Sequence, residues 1–99
     1  MNKYEMFIYK FLYFDELVRS NKGLDDIAFQ EVCESLKELG PLFRKNNSVP
    51  LDVANIFIDM YSSIESSADR HPPEMREKIL LAADTLAGIA REMTCESTN

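Results

Sequence analysis

Residues 4–18 read YEMFIYKFLYFDELV, and the spacing inside this stretch decides the fold class. Tyr4, Phe7, Phe11, Phe14 and Val18 recur at steps of three and four, which places them on one face of a helix; a half-buried strand would need them at every second position. The spacing predicts a helix from about Lys3 to Arg19. Its other apolar residues miss that face: Ile8 and Leu12 point to one side, Tyr9 and Tyr13 to another. This helix is therefore apolar around more of its circumference than the single stripe of an ordinary surface helix. Either it lies centrally in the fold, or its extra face, with Tyr9 and Tyr13 as anchors, meets another chain, including a second copy in a homodimer.

The same period recurs in three further segments. A second helix is expected over 25–39, with Asp25 as its cap, Asp26 at the positive end of its dipole, and Leu24 and Phe29 at the spacing of a hydrophobic staple. Its stripe is Phe29, Val32, Cys33, Leu36 and Leu39. Gly40 is expected to end it in the left-handed conformation, with Pro41 unable to continue it. Leu42 and Phe43 then read as a short turn tucked under the core, and 44–48 as a polar connection. A third helix is expected over 50–67, with Pro50 in its first turn and Val53, Ile56, Phe57, Met60, Tyr61 and Ile64 buried. The fourth runs over 73–93 and turns Ile79, Ala83, Leu86, Ala90 and Met93 inward, with Glu74 and Lys78 spaced to pair outside. Residues 94–99 are a polar tail. No strand-like alternation extends beyond a few residues, so the expectation is a single all-α domain over 1–99, a small four-helix bundle of up-down-up-down topology.

Composition sets the outer limits. A chain of 99 residues that is 45% hydrophobic, with three Gly and four Pro, has material for one core and not for two. Lys10 interrupts the N-terminal apolar run, Glu5 sits where a signal peptide is positive, and the run ends in Asp15 and Glu16, so secretion is not expected. No apolar stretch reaches the roughly 18 residues of a spanning helix. Cys33 and Cys95 are far apart and not the paired set of a small secreted fold, which makes a cytoplasmic location the expectation.

Catalytic and cofactor chemistry find little purchase. Two cysteines and one histidine cannot make a four-ligand zinc site, and His71 precedes two prolines instead of standing in a helical Glu-x-x-His pair. Gly23, Gly40 and Gly88 are isolated, so no phosphate-cradling loop is present. Asp69-Arg70-His71 reads as a solvated turn in which Asp69 pairs with Arg70 or His71. No catalytic residue, cofactor or metal is expected. Nor is nucleic acid, since the formal charge is −6 and Arg44-Lys45 is the one adjacent basic pair.

The surface carries more information. Residues 1–49 hold seven Lys/Arg and eight Asp/Glu, a net of −1, whereas 50–99 hold four and nine, a net of −5. Between Asn46 and Asp69 there is no Lys or Arg, and Asp52, Asn55, Asp59, Ser62, Ser63 and Ser66 fall opposite the apolar stripe, with Glu65 and Asp69 completing the acidic set. A second window without basic residues, from Gly23 to Leu36, carries Asp25, Asp26, Glu31 and Glu34. Were the two windows to face one side, their field would steer a basic partner. The expected function is thus an acidic protein-binding protein that holds a basic partner through these carboxylates and through Tyr9 and Tyr13, an inhibitor of the immunity or antitoxin kind set against a toxin nuclease. The alternative is a dimeric helical adaptor or secretion chaperone joined through its first helix.

Overall fold

Asn2 opens the first helix with a reciprocal cap. Its Oδ1 accepts a hydrogen bond from the Glu5 backbone N–H at 2.8 Å, and the Glu5 carboxylate accepts one from the Asn2 N–H at 3.1 Å, which satisfies two otherwise orphaned donors. In the computed structural model, which describes residues 1–95, helix α1 then runs over Lys3–Arg19, as the aromatic spacing predicts. Asn21 ends the turn at φ 65°, and Lys22 donates back to the Leu17 carbonyl at 3.2 Å. Asparagine enters this left-handed region more readily than most residues with a side chain.

Helix α2 spans Asp26–Lys37, and Asp25 caps it by accepting from the Ala28 N–H at 2.9 Å. Its end differs from expectation. Gly40 does not take a left-handed φ; it is the first residue of a further short helix, α3, over Gly40–Asn46. Glu38 and Leu39 keep right-handed helical backbone, and Pro41, placed in the opening turn of α3, starts a helix there instead of stopping one. The expected turn at Leu42 and Phe43 and most of the expected polar connection are thus helical. Asn47, at φ 49°, closes α3 while Ser48 donates to the Phe43 carbonyl.

Helix α4 covers Leu51–Ala68 with Pro50 just before it, and α5 covers Pro73–Thr94. Thr94, expected in the tail, is the last residue of α5, and 96–99 lie outside the described residues. The Glu74–Lys78 pair is not formed; Arg76 instead reaches Asp69 at 3.2 Å across the α4–α5 turn. Asp69 therefore does not pair with its neighbours in sequence. Arg70 donates to Ser67 Oγ, and His71 Nε2 lies 3.1 Å from the Val18 carbonyl oxygen, which ties this turn to the end of α1.

The four long helices alternate in direction along the chain and make an all-α bundle, with no strand among the described residues. Extensive interfaces join α4 to α5, α1 to α2, α1 to α4 and α2 to α5. The ring order is thus α1, α2, α5, α4, and the α2 to α4 connection crosses the diagonal through α3. As a result α1 and α2 form one layer and α4 and α5 the other, with α1 lying parallel to α4: Phe7 meets Phe57 at 5.9 Å between ring centroids, and further along both helices Asp15 meets Ser63. Short connections favour antiparallel neighbours; the crossing through α3 is what permits the parallel pairs.

The core is made by the predicted stripes. Phe7, Phe14, Val18, Val32, Leu36, Leu39, Val53, Met60, Ile64, Ile79 and Leu86 are all buried. One stripe residue was misplaced: Tyr61 is 36% exposed on the α4–α5 side. One polar group was also misplaced. Ser63, expected on the solvent face of α4, turns to α1 and donates to the Asp15 carboxylate, at 3.0 Å from Oδ1. Asp15 is itself buried, and Arg19 lies 3.3 Å from its other oxygen. A buried carboxylate persists only when its oxygens are satisfied, so losing one donor is costly. Ser63→Ala should therefore lower unfolding stability by about 1 to 2 kcal/mol, read from the midpoint of urea denaturation, with helical content at zero denaturant unchanged.

Candidate protein-binding surfaces

The two acidic windows do not face one side. Asp25, Asp26, Glu31 and Glu34 belong to α2 or its cap, while Asp52, Asn55, Asp59 and Glu65 belong to α4, and these helices stand at opposite corners of the bundle. All eleven residues expected to bind a partner, with Asp69, Tyr9 and Tyr13 included, are exposed, but the geometry sorts them into two surfaces.

The first surface is the outer face of the α1–α2 layer. Tyr9 and Tyr13 are 61% and 55% exposed and, with Lys10, Ala28 and Glu31, line a shallow groove of about 180 Å³. Two glutamates of this layer are paired with lysines within the protein. Glu31 lies 3.8 Å from Lys10 and Glu38 lies 3.6 Å from Lys3, each pair crossing the seam from α2 to α1. Asp25 is occupied as a helix cap, and Glu34 accepts from the Gln30 side chain. Ile27 stands on the outer side of α2, 72% exposed.

The second surface belongs to the α4–α5 layer, and its carboxylates are uncompensated. No Lys or Arg pairs with Asp52, Asp59, Glu65 or Asp84 among the described residues, whereas Asp69 is held by Arg76. Asp52 also serves its own helix, accepting from the Val53 N–H at 2.9 Å. Leu51, Ile58 and Leu81 lie exposed on this layer, so apolar and acidic groups share it. Tyr61 reports the local field: Asp84 from α5, then Glu65 from its own helix, hold its phenol above the usual tyrosine range. Sequence reasoning missed Asp84, because nothing in the spacing of α5 announces that it faces Tyr61 across the helix pair.

Elsewhere the chemistry is quiet. Cys33 is partly buried, and burial first of all, with Glu34 adding to it and Lys37 opposing, pushes its thiol up and so disfavours the nucleophilic thiolate. Cys95 is exposed at the end of α5, beside a larger surface hollow lined by Arg44, Ser48 and Met93 among others. Among the described residues no group of three or more His, Cys, Asp or Glu is arranged to hold a metal ion, and no helix is long and apolar enough to cross a membrane. Comparison with protein-family models, curated proteins and solved structures finds no match to the chain.

The field at Tyr61 is directly measurable. Ionising the phenol adds a negative charge beside two carboxylates, so Tyr61 should deprotonate at higher pH than an ordinary tyrosine, and removing Asp84, the larger cause, should bring it back down. In Asp84→Asn the highest-pH component of the phenolate absorbance titration should move to lower pH; an unchanged curve would mean that the carboxylates of α4 and α5 do not converge there.

Proposed function

We propose that this protein is a protein-binding domain whose α4–α5 layer holds a basic partner. The observation that carries this reading is the set of exposed carboxylates with no cation partner among the described residues, Asp52, Asp59, Glu65 and Asp84, interspersed with the exposed Leu51, Ile58 and Leu81. A solvated helix with no partner to meet commonly mixes both signs of charge. Here the segment between Asn46 and Asp69 contains no basic residue, and exposed aliphatic side chains lie among the acids. Apolar groups supply contact area and the surrounding carboxylates supply orientation and a fast encounter.

An inhibitor of the immunity or antitoxin kind suits this chemistry, because a basic nuclease cleft is complementary to an acidic, partly apolar plug. An adaptor or secretion chaperone for a basic client would use the same surface. Both are binding functions with the same residues in the same roles, and the partner's identity separates them.

The experiment is affinity capture of the tagged protein from its source lysate, followed by kinetics with the retained protein. Raising ionic strength from low to moderate should weaken capture steeply, and Asp52→Lys with Asp59→Lys should slow association about tenfold or more while dissociation changes less. A retained partner whose association is indifferent to both salt and these substitutions would falsify the acidic-surface reading.

A further inference from the structure

The α1–α2 face takes no part in the binding just described, since it lies in the opposite layer and lysines of α1 pair with glutamates along its seam. It is nonetheless the most aromatic part of the surface, with Tyr9, Tyr13 and Ile27 all more than half exposed and Met6 beside them. Monomeric domains seldom leave such a patch uncovered.

We propose that a second copy of this chain covers this face, related to the first by a two-fold axis running along the seam between α1 and α2. The pattern of charge selects this occupant and this axis. The lysines of the seam, Lys3 and Lys10, are both on α1, and the glutamates they meet, Glu38 and Glu31, are both on α2 and at the same heights. A two-fold rotation about an axis parallel to the seam keeps each residue's height and exchanges left for right. It therefore lays α1 of one copy over α2 of the other. Lys10 of the second copy comes to Glu31 of the first, Lys3 comes to Glu38, and the reciprocal contacts form by symmetry. The same rotation carries Tyr9 and Tyr13 of each copy onto the outer side of α2, where Ile27 stands exposed beside the groove floored by Ala28.

Other occupants fit less well. A partner of one charge sign meets both signs along this seam, because each lysine of α1 stands against a glutamate of α2. A copy of the chain matches the apolar and charged parts together. It also keeps the strongly acidic α4–α5 layers on the outside of the pair, where two chains of formal charge −6 repel least.

A charge exchange between copies tests the arrangement. Mass is measured by light scattering and sedimentation over a concentration series, for the native chain, for Lys10→Glu, for Glu31→Lys and for an equimolar mixture of the two variants. The native chain should reach about twice the monomer mass, and each variant alone should associate about tenfold more weakly, because like charges then face each other across the axis. The mixture should recover dimers, since each variant supplies the charge that the other lacks. Circular dichroism checks that both variants keep their helices. A native chain that stays monomeric at the highest concentration overturns the proposal, and so does a mixture no more associated than its components. Ile58→Glu, on the other layer, should leave the dimer intact; loss of dimer there places the interface on the wrong layer. Salt-sensitive capture of a basic partner should survive in Lys10→Glu, so failure of the dimer and failure of the acidic surface give different results.

Discussion

The ring of Phe43 lies between those of Tyr4 and Phe57, stacked on the first at 6.3 Å and edge-on to the second at 6.1 Å, and it fastens the short helix α3 beneath the ends of α1 and α4. Phe57 in turn meets Phe7, and Phe7 meets Phe11, so one run of aromatic contacts joins three helices at this end of the bundle. Because α3 is anchored there, the chain leaves α2 at one corner and enters α4 at the opposite corner. Every later property of the surface follows from that crossing. It pairs α1 with α2 and α4 with α5 as layers, and it puts the two acidic windows at diagonal corners, where their fields do not add.

Parallel neighbours need something to set their height, because a seam of Phe, Ile and Met contacts is satisfied by more than one register. Asp15 supplies it. A carboxylate this deeply buried between α1 and α4 must find its partners: Arg19, on its own helix, is one at any register, whereas the Ser63 hydroxyl of α4 comes within reach at one height only. His71, against the Val18 carbonyl, adds a second polar tie between the α4–α5 turn and the end of α1. The energetic gain of such groups over a well-packed apolar alternative is small, whereas the cost of misaligning them is not. Their effect is on which arrangement forms.

Helix positions were legible in the sequence because a three-to-four period in apolar residues has one physical explanation, the burial of one helical face. The α1 bounds and the Asp25 cap followed from it, and Pro73 marked the start of α5. The layer arrangement was not legible, since the period of a helix says which face is buried but not which neighbour buries it. Tyr61 and Ser63 were misassigned for the same reason: both sit at the edges of the α4 stripe, and only the position of α5 and α1 decides that the tyrosine is half open and the serine turned inward. At Gly40-Pro41 two opposite rules applied to the same residues. Glycine and proline end one helix or open the next, and the burial of Gly40 against Met93 of α5 favours the second. Of the candidate site, the residues were legible and their grouping was not.

The surplus aromatic face of α1 posed a choice between a central helix and an interface, and the ring order decides the first half of it. Helix α1 touches only α2 and α4 extensively, as a corner helix of a four-helix ring must, so among the described residues no further element covers Tyr9 and Tyr13. Net charge alone is silent about this, since −6 is a property of the chain and not of a face. The ion pairs resolve it: the lysines of α1 stand against glutamates of α2, while among the described residues no lysine or arginine pairs with Asp52, Asp59 or Glu65 of α4. One bundle thus carries a charge-paired apolar face and an acidic face on opposite layers, and these two surfaces differ in what they attract and in how salt affects the attraction. Burial of tyrosine and isoleucine is little changed by moderate salt, whereas steering by Asp52 and Asp59 decays over a Debye length of about 8 to 10 Å. A pair of copies joined by the first face would present the second on both outer sides. It would gain avidity only for a partner whose basic sites span the full depth of two bundles, and for any other partner the two acidic layers would act independently.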